Sequence, residues 1–84
     1  MTSTREEILA GVRQVAAEHL DHQGPLPLDA HLVEDLQLDS LQLMTLAAEV
    51  ENHFRVLLEP EDEEAIATVR DLVDVVRHKK GGAS

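Results

Sequence analysis

The chain has 84 residues, of which 43% are apolar, and this is enough for one small core and too much for a disordered tail. Seventeen acidic against seven basic residues give a net charge of −10. Such a field repels nucleic acid and anionic membrane surfaces and steers basic protein surfaces toward the chain. With no cysteine there is no disulfide framework and no thiolate nucleophile or metal ligand.

The N-terminal stretch at residues 1–7 lacks the apolar core of a signal peptide, and no apolar run reaches membrane-spanning length. The expectation is a cytoplasmic protein without membrane insertion. Length predicts a single domain over residues 1–84, with its core at about 5–80 and a frayed tail at 81–84.

A first helix is predicted over residues 5–20. Thr4 and Glu7 have the T-x-x-E spacing of a capping box. Ile8, Val12, Val15 and Leu20 recur at helical spacing, while Glu6, Arg13, Gln14 and Glu18 fall opposite. The connection at 21–39 is long, and its Gly24, Pro25 and Pro27 resist helix. Leu28, Leu32, Leu36 and Leu38 are expected to pin it to the core, with a short helical turn at 30–35.

A second helix is predicted over residues 40–54, with Asp39 as its N-cap. Leu43, Leu46, Val50 and Phe54 form one stripe, and Met44 and Ala48 fall on a neighbouring face. A short helix at 61–67 carries Ile66 as its inward anchor. The last helix begins at Thr68, whose pairing with Asp71 is a variant capping box. Val69, Leu72, Val73 and Val76 make its apolar face, and Arg77, His78, Lys79 and Lys80 suit its C-terminus through the dipole. Near-absent aromatics and strand-type alternation favour an all-α fold, a four-helix bundle of three main helices and one short one.

The informative motif is Asp39-Ser40-Leu41. Asp and Ser at a helix start are ordinary caps, and alone the tripeptide means little. Its setting is the lead-in Leu32-Val33-Glu34-Asp35-Leu36, the later segment Ile66-Ala67-Thr68-Val69, and the length and acidity of the whole chain. In these features the chain resembles the acyl carrier proteins from about Ile8 to Val76.

The resemblance implies a stand-alone carrier, not an enzyme. A phosphopantetheinyl transferase moves 4′-phosphopantetheine from coenzyme A onto Ser40, and acyl groups then ride as thioesters on the arm's thiol. Asp39 helps the transferase orient its metal and the serine, and Leu41 packs under the modified residue. The bundle shelters the acyl chain in its apolar core. Helix 2 is the docking surface for acyl-activating, ketosynthase or acyltransferase-type enzymes with basic patches. The matching residues are Asp39, Gln42, Leu43, Met44, Ala48, Glu49 and Glu51, with Glu34 and Asp35 on the approach. Members are mostly monomers.

Three positions depart from the common pattern. Gln42 and Thr45 replace frequent acidic residues, and Gln37 replaces a frequent glycine. The departures favour polyketide or lipopeptide assembly over housekeeping fatty-acid synthesis. A peptidyl or aminoacyl carrier, with the same arm and different cargo, is the nearest alternative. An unmodified acidic adaptor is the other.

Other constellations carry less. Ser40 lacks the G-x-S-x-G elbow of a nucleophile. His19, Asp21 and His22 cross a helix end without the further ligands a metal needs. The acidic run at 59–64 suits the N-terminus of the short helix, and Lys79 with Lys80 is too small a patch for nucleic acid.

Overall fold

The computed structural model describes residues 5–20 and 26–82, the last two by backbone alone. Four helices follow in order: α1 Arg5–His19, α2 Ser40–Phe54, α3 Pro60–Ala65 and α4 Val69–Gly82. Thr4, Asp21, His22, Ala83 and Ser84 lie outside the described residues, and with them the first capping box, the histidine cluster and the end of the tail.

The three longer helices bury the apolar faces that their spacing predicts. Ile8, Val12 and Val15 of α1 meet Leu46 and Val50 of α2 and Val69, Leu72, Val73 and Val76 of α4 in one core. α1 packs against both α2 and α4. Among the described residues no polar or charged side chain is buried, so the core carries no desolvation penalty of that kind.

Gly11 lets α1 and α2 come close. A Cβ there would sit 2.5 Å from Phe54 Cζ and 3.0 Å from His53 Nε2, inside van der Waals contact. The same ring meets the His53 imidazole edge-on, with centroids 4.8 Å apart.

The connection before α2 is held more firmly than its Pro and Gly content suggests. Leu26, Ala30, Leu32 and Leu38 are buried, and Leu28 and Leu36 pack against the core. The expected helical turn is a set of hydrogen-bonded turns, in which Asp35 and Leu36 N–H donate to His31 O. Backbone bonds tie this segment to the start of α4: Leu32 N–H donates to Ala67 O, Val69 N–H to Ala30 O and Arg70 N–H to Leu28 O. The loop carbonyls thereby satisfy α4 donors that a helix start leaves open. Arg70 and Asp29 add an exposed ion pair at 3.0 Å.

α3 begins at Pro60, one residue earlier than the spacing suggests, because a first-turn proline needs no N–H partner. It ends at Ala65, with Ile66 extended at ψ 106°. The continuation to residue 67 fails because the next donors are taken. Ala67 and Thr68 N–H both donate to the Asp71 carboxylate, at 3.0 and 3.1 Å. Asp71 N–H donates back to Thr68 Oγ1 at 3.1 Å, so Thr68 and Asp71 cap α4 reciprocally.

The Ala67 and Thr68 N–H groups hold the Asp71 carboxyl below its ordinary value of 3.8. A depressed carboxyl contributes stability above the unfolded value, and loses it as pH falls through the folded one. Asp71→Ala is expected to cost about 1–2 kcal/mol at pH 7. In urea titrations the gap between variant and wild type should shrink below pH 4. An unchanged gap at pH 3 would mean that the carboxylate charge contributes nothing to the cap.

Candidate functional site

The approach to α2 is built by three consecutive backbone states. Gln37 is left-handed at φ 57°, a conformation that costs most non-glycine residues about 1–2 kcal/mol. Glycine would adopt it without strain. Leu38 then drops into the core, and its N–H donates to Leu32 O at 3.1 Å. Asp39 is extended and caps the helix: its Oδ1 accepts Gln42 N–H at 2.8 Å, and Gln42 Oε1 accepts Asp39 N–H at 3.0 Å. Ser40 follows as the first residue of α2, exposed to solvent.

The electrostatics there suit an anion. Helix starts carry free N–H groups and a partial positive charge. The first turn of α2 contains no carboxylate of its own. A phosphodiester on Ser40 would meet backbone donors, with the Asp39 carboxylate of the cap beside it, and the exposed hydroxyl leaves room for an arm. The residues fit 4′-phosphopantetheine.

Beside Ser40, α2 divides into two faces. Leu41, Met44 and Ala48, spaced i, i+3, i+7, all face solvent. Leu41 is 71% exposed and Met44 66%. Leu41 therefore does not pack beneath the serine as the resemblance implied. It lies about 160° around the helix from Leu43, away from the core side.

Leu43, expected at the docking surface, is half-buried on the core side in line with Leu46 and Val50. The acidic candidates have partners within the chain. Glu49 pairs with His19 of α1 at 3.1 Å. Glu51 Oε2 accepts Leu58 N–H at 2.8 Å and pins the segment after α2. Gln42 is engaged in the cap.

The sequence reading missed a cavity of about 190 Å³ between α2, α3 and α4. Leu32, Leu46, Leu58 and Leu72, all buried, form its floor. Half-buried Leu43, Ala47 and Ile66 wall it, and exposed Met44 and Glu63 stand at its rim. Glu63 is its one charged lining residue. The signal in the sequence was Leu58 and Ile66, two apolar residues flanking an acidic run too polar to cover them.

The bundle is of the acyl carrier type. Its structure is similar to the NMR solution structure of 3-oxo-butyl-ACP, an intermediate mimic from the actinorhodin polyketide synthase in Streptomyces coelicolor. The TM-score is 0.64 at 26% identity, covering all of this chain and 98% of that one. Residues 10–76 match the family described as the phosphopantetheine attachment site.

The chain is 35% identical over 80 residues to an acyl carrier protein of Thermotoga maritima, covering 94% of this chain and 99% of that protein. It is 38% identical over 77 residues to one of Rubrobacter xylanophilus, covering 89% and 95%. The chain belongs to the phosphopantetheine-binding acyl carrier protein family. Proteins of this family are carriers rather than enzymes, and their prosthetic group is 4′-phosphopantetheine. Among the described residues no helix is long and apolar enough to cross a membrane, and no cluster of three His, Asp or Glu could hold a metal.

Proposed function

We propose that Ser40 is the attachment residue and that the chain, as one carrier domain over residues 1–84, works in the cytoplasm as a stand-alone carrier. The observation that carries this is the exposed Ser40 at the capped start of α2, inside the family match. A phosphopantetheinyl transferase would join Ser40 Oγ to the pantetheine-side phosphorus of coenzyme A. The pyrophosphate P–O bond breaks, adenosine 3′,5′-bisphosphate leaves, and the serine proton is released as the phosphodiester forms. Once bound, the group supplies a terminal thiol for acyl thioesters, which a chain without cysteine lacks. Asp39 sets the helix start and orients Ser40 through its cap. The cavity beside the helix shelters the acyl tail between transfers.

The partner surface is the exposed face of Leu41, Met44 and Ala48, used by acyl-activating, ketosynthase or acyltransferase-type enzymes with basic rims. Glu49 and Glu51 act more through the fold than as free charges. Neutral Gln42 and Thr45 support a specialised pathway of the polyketide kind, as does the likeness to a polyketide synthase carrier.

The test is intact mass after incubation with coenzyme A, magnesium and a broad-specificity phosphopantetheinyl transferase. A gain of one phosphopantetheine is expected. A folded protein that gains nothing with any transferase overturns the reading.

Met44→Glu tests the docking face. At 66% exposure the side chain contributes little to the core, so the helical circular dichroism should stay nearly unchanged. Transfer to a ketosynthase-type partner should weaken roughly tenfold, since a desolvated carboxylate in an apolar contact costs more than 1 kcal/mol. A lost fold would place Met44 in the core.

A further inference from the structure

α3 is weakly anchored by its own residues. None of Pro60–Ala65 is buried, and Glu61, Asp62, Glu63 and Glu64 stand side by side with like charge. Yet α3 and its flanks close one side of the cavity through Glu63, Leu58 and Ile66. Apolar contact from Leu58 and Ile66 holds the two ends. Between them, among the described residues, an ion pair ties α3 to α4. Lys79 Nζ of α4 lies 2.8 Å from Asp62 Oδ2, and both side chains are only 25% exposed.

The other ion pairs described are more open: Arg5–Asp74 is 45% exposed on each side, and Asp29 in its pair with Arg70 is 85% exposed. Asp62 Oδ2 also accepts Glu59 N–H at 2.9 Å, so one carboxylate caps α3 and joins it to α4. The next residue, Lys80, donates to Phe54 O at 3.3 Å. The end of α4 thus brackets the whole segment from the end of α2 to α3. The Lys79 ammonium, with Glu59 N–H, holds the Asp62 carboxyl below its ordinary value, and Asp62 raises Lys79 in turn.

We propose that the Asp62–Lys79 ion pair fixes α3 as a rigid wall and so sets the upper size of the cargo that the protein can enclose. The cargo class that fits is a saturated acyl tail of up to about eight carbons. A cavity of about 150 Å³ takes benzene, six carbons, so about 190 Å³ takes seven or eight. Its lining side chains are apolar except for Glu63 at the rim, so a polar group at the far end of the chain would lose its hydration without a partner. The proposal rests on the carrier reading of Ser40.

The experiment loads the protein with acyl arms of four to sixteen carbons, transferred whole from acyl-coenzyme A by a transferase, and measures the thermal midpoint of each. Intact mass confirms every loading, so failure to load refutes the carrier reading and leaves cargo size as a separate question. In wild type the midpoint should rise with chain length to about eight carbons and then stay flat.

Asp62→Asn keeps an oxygen for the Glu59 N–H and removes the charge. It should move the break to ten carbons or more, and Lys79→Met should do the same if Asp62→Asn does not fold. Ala47→Phe, which fills the cavity from a half-buried wall position, should bring the break below six carbons. A wild-type rise that continues to sixteen carbons overturns the size limit. A break at the same length in wild type, Asp62→Asn and Lys79→Met overturns the role of the ion pair.

Discussion

Replacing Ser40 with alanine is expected to abolish the mass gain from phosphopantetheine transfer completely while leaving the bundle as stable as before. The two halves of this result have separate causes. Attachment needs an oxygen nucleophile at the first position of α2, and alanine offers none. Stability does not depend on that oxygen, because Asp39 and Gln42 make the cap between them, at 2.8 and 3.0 Å.

Ser40 is exposed, and alanine is the better helix former by a few tenths of a kcal/mol. The urea midpoint should therefore stay level or rise slightly. Retained modification in the variant would move the attachment residue elsewhere. Lost modification together with a lost fold would say only that Ser40 is structural. Full pathway activity without modification would favour the unmodified adaptor.

Much of this site could be seen in the sequence because its signals are local. Asp39 as N-cap and the spacing of Leu46 and Val50 fix α2 within a single stretch of chain, and its bounds come out as Ser40–Phe54. The Thr68–Asp71 pairing is equally local. Signals that depend on distant pairing were not visible. Nothing near Leu28 or Ala30 announces that their carbonyls will receive the first N–H groups of α4. Glu49 and Glu51 look like free docking charges until His19 and Leu58 arrive beside them. The cavity exists because α3 is too polar to fill the space beneath it, a property of the assembled helices.

Leu41 was misplaced for a different reason. Its neighbours in sequence, Leu38 and Leu43, do face inward, but Leu41 stands about half a helical turn from Leu43 and so points away from the core. Gln37 lies between these cases. Its departure from glycine is visible in the sequence, and its left-handed backbone supplies the physical reason glycine suits the position.

The close approach of α1 and α2 at Gly11 makes Gly11→Val the substitution with the largest expected effect on stability. Gly11 is buried, and a Cβ there already collides with Phe54 Cζ at 2.5 Å and Cε1 at 2.9 Å. Valine adds two methyl groups on a stiff χ1. The backbone of α1 can give little, because Ile8, Val12 and Val15 are locked in the core on the same helix.

The cheapest escape is for the Phe54 ring to swing into water. That bounds the cost at the ring's buried area, about 2–3 kcal/mol for a large apolar side chain. The gain in helix propensity from replacing glycine returns about 0.5 kcal/mol. A net loss of about 2 kcal/mol would lower the melting temperature by roughly 10 °C in a domain of this size.

The double variant Gly11→Val with Phe54→Ala separates this from a general defect of the helix. If the ring is the obstacle, adding Gly11→Val to Phe54→Ala should cost almost nothing, and the two single losses should fail to add. Additive losses would mean that valine disturbs α1 itself, and the glycine would then serve the helix backbone and not its contact with α2.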